Sequence, residues 1–89
     1  MSPPVPEEEI VPRGREIYEN AVRPGLGPED EGGFVVIDVE SGDYEISGDE
    51  EKAFARAEER HPEALFYVLR VGKGGAPLPA YRIGAGIHR

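Results

Sequence analysis

Apolar and polar positions along this chain follow two periods, and the change from one to the other marks the elements. Over FVVIDVESGDYEI (34–46) the period is two. With Ser41-Gly42 as a two-residue turn, Glu40 faces Asp43, Val39 faces Tyr44, Asp38 faces Glu45 and Ile37 faces Ile46. Val35, Ile37, Val39, Tyr44 and Ile46 then share one face of a hairpin, and Asp38, Glu40, Asp43 and Glu45 share the other. The apolar face is predicted to meet the core and the carboxylate face to lie outside it.

Residues 47–60 (SGDEEKAFARAEER) switch to helical spacing, with Ala53, Phe54, Ala57 and His61 on one stripe. Ser47 is the expected N-cap, Glu50 three residues later completes a capping-box pattern, and Pro62 marks the end. Phe54 is the expected anchor, and His61 is placed to serve the last carbonyls of the helix. A shorter stripe, Ile17, Tyr18, Ala21 and Val22, predicts a helix over 13–22, with Pro12 at its first position. Pro24 stops it, and Gly14 weakens it enough that it needs something to pack on. LFYVLRV (65–71) is almost continuously apolar and suits a central strand covered on both faces. AYRI (80–83) is the last expected strand, after a loop over 72–79.

The order helix, strand, strand, helix, strand, strand predicts an α+β fold. The second strand, helix and third strand form a crossover, and a right-handed one places the third strand beside the first. The sheet is therefore expected to be antiparallel, of order 2-1-3-4, with the capped helix on one face and a short N-terminal helix. In that arrangement Arg70 and Arg82 can project from the face carrying Asp38 and Glu40 and offset its charge.

Length allows one domain in 89 residues, and nine Pro with twelve Gly place part of the chain in tails and loops. Residues 1–11, rich in proline and glutamate, are expected to be a disordered tail, 12–84 the single domain, and 85–89 a loose end. Cysteine is absent, which removes disulfides, thiol catalysis and cysteine zinc sites. No apolar run approaches the roughly 20 residues that span a bilayer, and MSPPVPEEE lacks the basic-then-apolar order of an export signal. A soluble cytoplasmic protein is expected.

The formal charge is −8, and its distribution is uneven. All 18 acidic residues lie between Glu7 and Glu63, whereas Arg70, Lys73, Arg82 and Arg89 follow with no acid among them. An acidic whole opposes non-specific nucleic-acid binding, and the two halves are expected to fold against each other.

Motifs for chemistry are sparse. DVESGDYE lacks the spacing of a calcium loop, and strand carboxylates point outward rather than converging. Two histidines without cysteine make no standard zinc set. Ser2, Ser41 and Ser47 lie outside any G-x-S-x-G context, and VGKGGAP leads into prolines rather than a phosphate-binding helix. No catalytic residue, metal ligand set or cofactor is expected.

GREIYE (14–19), RP (23–24), GFVVIDVESGDYEI (33–46), HPEA (61–64), LRVG (69–72) and AYRIG (80–84) together resemble a family of short bacterial proteins. That family has the pattern GREIYE…RP…GKFVVIDIETGDYEID…RNPDA…YLLRIG…AAYRIGG. The resemblance covers most of residues 14–84 and implies a small, antitoxin-like partner protein with no catalytic residues to carry over. KGGAPLP (73–79) is longer than the family's direct run, which bears on the last hairpin.

A non-enzymatic interaction module is therefore expected. It would bind a protein partner or a second copy through a strand edge or through Asp38, Glu40, Asp43, Glu45, Arg70 and Arg82. The alternatives are a weak divalent-metal or enzymatic site on the acidic hairpin, and nucleic-acid binding by the basic C-terminal part.

Overall fold

A computed structural model describes the backbone of residues 7–85 and the side chains of residues 8–78. The elements are α1 (Glu7–Ile17), a π-helical turn (Tyr18–Val22), two short 3-10 turns, β1 (Phe34–Asp38), β2 (Tyr44–Ser47), α2 (Glu50–Arg60), β3 (Leu65–Val71), a third 3-10 turn (Lys73–Gly75) and β4 (Pro77–Ala85). The sheet is antiparallel with order β2-β1-β3-β4, as the crossover argument requires, so the fold is α+β.

The helices lie on opposite faces. Val35, Ile37, Val39, Tyr67, Leu69 and Val71 form one core with Ile10, Tyr18 and Val22. Val36, Phe66 and Val68 form a second core with Ala53, Phe54, Ala57 and Ala64. The capped helix therefore covers the carboxylate-bearing face of the hairpin, not the opposite one. That face is expected to lie outside the core, solvated or paired with arginines and partly covered by the first helix, which packs on the opposite face. Asp38 is instead only 3% exposed. Phe54 is a core residue at 9% exposure and meets Phe66 edge-to-face at 5.3 Å, though Ala53 beside it is more deeply enclosed.

Several boundaries differ from expectation. α1 begins at Glu7, so residues 7–11 belong to a helix and not to a tail, while residues 1–6 and 86–89 lie outside the described residues. Pro12 sits in the second turn instead of first, and the carbonyl of Glu8 that loses its donor lies in an exposed turn. The buried positions are Ile10, Gly14, Tyr18 and Val22, and Ala21 is exposed. A spacing of four drifts by about 40° per step on an α-helix. The wide π-helical turn over Tyr18–Val22 takes up the drift and returns Val22 to the core. Gly14 lets α1 cross β3 closely, because a Cβ there would overlap the Tyr67 ring.

β4 starts at Pro77, three residues early, and the irregularity opposite Val68 and Leu69 absorbs the longer run before AYRIG. Pro77 and Pro79 are compatible with pairing because β4 is an edge strand. The turn before it is pinned by the Tyr18 hydroxyl, which donates to the Gly75 carbonyl at 2.6 Å. No helix among the described residues is long and apolar enough to cross a membrane.

Candidate functional site

The hairpin tip differs from the two-residue turn in a way that organises its carboxylates. Ile37 pairs with Tyr44, Val36 with Glu45, Val35 with Ile46 and Phe34 with Ser47. This register is two residues from the expected one, so the faces are unchanged but the loop is longer. Asp38 causes it. Its Oδ1 accepts from the amides of Glu40 (2.9 Å) and Ser41 (3.3 Å), and its Oδ2 accepts from the Ser41 hydroxyl at 2.8 Å. An aspartate that turns the chain onto its own carboxylate competes directly with a tight turn. Gly42, at φ 85°, completes the bend by donating its amide to the Asp38 carbonyl at 2.8 Å.

The charge at this tip is offset from α2. Arg60 donates to Glu45 at 2.8 Å and to Asp43 at 3.2 Å. His61 lies with Nε2 at 2.8 Å from Asp43 and Nδ1 at 3.4 Å from Asp38. The hydrogen bond that Arg60 donates to Glu45 and the charge of Asp43 raise the guanidinium above its usual value, favouring its cationic form. His61 thus faces two carboxylates, not the helix carbonyls. Helix length explains the meeting. Eleven residues of α2 rise about 16 Å, close to the span of the five-residue β1 at about 3.3 Å each. A helix leaving the far end of β2 therefore ends back over the hairpin tip.

The N-terminus of α2 is held separately. Asp49 is the cap, its Oδ1 accepting from Glu51 (2.9 Å) and Lys52 (3.2 Å), in place of the expected Ser47. Ser47 ends β2, and its hydroxyl accepts from the Asp49 amide at 3.1 Å.

Of the predicted partner-binding residues, Asp38, Asp43 and Glu45 come together with Arg60 and His61, and Glu40 is exposed beside them on the wall of an open depression. Arg70 is not part of this group. It pairs with Phe34, four strand positions from Asp38, and its guanidinium lies 5.4 Å from the centre of the Phe34 ring. Arg82 is opposite Val68 in the β3–β4 register, and its side chain lies outside the described residues. Among the described residues no group of three or more His, Asp or Glu is arranged to hold a metal ion.

β2 forms one edge of the sheet, and its hydrogen-bond phase follows from its neighbours. The Asp38 amide donates to the Asp43 carbonyl at 2.8 Å, which makes that pair, Val36–Glu45 and Phe34–Ser47 the bonded ones. On the other side of β1, Val71 donates to Gly33 at 2.9 Å, the alternate phase. The backbone groups of Tyr44 and Ile46 therefore point out of the sheet. Tyr44 is 37% exposed, and Ile46 packs partly against the first core. At the Ile46 end a second depression is lined by Glu29, Asp30, Glu31, Ser47 and Gly48.

No family model, curated protein or solved structure matches the chain.

Proposed function

We propose that this protein is a non-enzymatic interaction module that engages a protein partner by strand addition at the β2 edge. The observation carrying this reading is the outward phase of Tyr44 and Ile46, whose amides and carbonyls have no partner among the described residues. An open edge is a template for another strand. The opposite edge is poorer for this purpose, because Pro77 and Pro79 lack donors and β4 is irregular opposite Val68 and Leu69.

The carboxylates of the hairpin support the same reading. Asp38 is used up by its own turn, and Asp43 and Glu45 are held by Arg60 and His61. They act as a clasp that fixes the edge strand against α2, which pre-organises a binding edge and lowers the ordering cost of association.

A photoreactive residue at position 44 tests the proposal in the native cell. Covalent adducts with another protein are expected from position 44 and not from Glu51, an exposed position on α2. Equal labelling from both positions, or none from either, would overturn it.

A further inference from the structure

We infer that the segment received by the β2 edge is a basic, extended strand with alternating apolar and cationic residues. This rests on the interaction reading above and adds the chemistry of the partner. A strand hydrogen-bonded to Tyr44 and Ile46 would place alternate side chains on the two faces of the sheet. On one face they meet Tyr44 and Ile46, an exposed ring and a half-buried aliphatic chain. On the other they meet Asp43 and Glu45. Cationic residues suit that second face, because each of these carboxylates keeps acceptor capacity beyond its contacts with Arg60 and His61.

The approach to the edge has the same sign. Glu40 stands at the tip, and Glu29, Asp30 and Glu31 line the depression at the other end. None of these four has a cation within salt-bridge distance among the described residues. Their field attracts a basic segment and aligns it along the strand. It repels a second copy. Two β2 edges laid together would bring Asp43 and Glu45 against their own counterparts, on chains that each carry −8. Charge complementarity therefore selects a basic partner over self-association.

The probe is a synthetic peptide of alternating valine and lysine, titrated into the full chain by amide NMR with hydrogen exchange. Binding is expected to slow exchange at the Tyr44 and Ile46 amides. A valine–glutamate peptide should bind at least about tenfold more weakly, and added salt should weaken the lysine peptide alone. Tyr44→Pro deletes an outward N–H without touching the β1 ladder and should cost about tenfold in affinity. Should that variant not fold, a lysine peptide N-methylated at alternate residues makes the same deletion from the partner side. Shifts scattered over the acidic surface, equal binding of the glutamate peptide, or a dimer whose Tyr44 and Ile46 amides are already protected would each overturn the inference. The two readings fail separately: a native adduct at position 44 whose partner has no basic extended segment sinks only this one. Absence of any adduct there sinks the interaction reading, whatever the peptides do.

Discussion

Gly14 looks like a defect in a helix, and at an exposed site its replacement by alanine would add about 1 kcal/mol of helix stability. Here the sign reverses. The Cβ would overlap the Tyr67 ring at the point where α1 crosses β3. Gly14→Ala is expected to lower stability by about 1–3 kcal/mol, measured by urea unfolding, as overpacking does. Tyr18 is fully buried, and its hydroxyl holds the Gly75 carbonyl. Tyr18→Phe leaves that carbonyl short of a donor and should cost about 1–2 kcal/mol. Burial raises the Tyr18 phenol above its usual 10.0, against the pull of Arg23 and with the help of Glu19. A raised acid contributes stability that is present below its unfolded value and lost as pH climbs through its folded value. Thermal unfolding above about pH 10 should therefore fall more steeply in the natural chain than in Tyr18→Phe.

The hairpin and α2 behave as one unit because Asp38 shapes the turn and Arg60 and His61 close over it. Asp38→Ala strands the Glu40 and Ser41 amides that the carboxylate satisfies, and a loss of about 1–3 kcal/mol is expected in chemical unfolding. Phe54→Ala removes the ring that contacts Phe66 in the second core and should cost about 3–5 kcal/mol. A loss below about 1 kcal/mol would contradict the packing of α2 on this face. Both elements were visible in the chain before folding. The alternation of Val35, Ile37 and Val39, and the stripe of Ala53, Phe54 and Ala57, identify buried positions from spacing alone. The turn was not visible in the same way. Ser41-Gly42 reads as a tight bend until Asp38 is seen to wrap its own following amides, and Ser47 reads as a cap until the strand claims it. In each case two local solutions compete, and the Asp38 carboxylate decides the turn while pairing with Phe34 claims Ser47 for the strand.

Charge belongs to the molecule as a whole. Acids flank both ends of the β2 edge, while Arg60 and His61 are engaged with Asp43 and Glu45 and Arg13 donates to the Val39 carbonyl. The chain is expected to run as a monomer in light scattering at neutral pH and low salt, since copies meeting at this edge repel. A stable dimer that leaves the Tyr44 and Ile46 amides unprotected would show that another surface dominates, and one that protects them would overturn the charge argument.

Secondary structure, strand order and most of the core are legible along the chain because they depend on periodicity and on short connections, both local properties. Which face each helix covers depends instead on contacts between distant residues. Arg60 reaches Glu45, and His61 reaches Asp38, only because the rise of α2 matches the length of the strand beneath it. For that reason Arg70, apt by charge and by face, stacks on Phe34 and is not the partner of the hairpin carboxylates, and the residue pair at the end of the helix is.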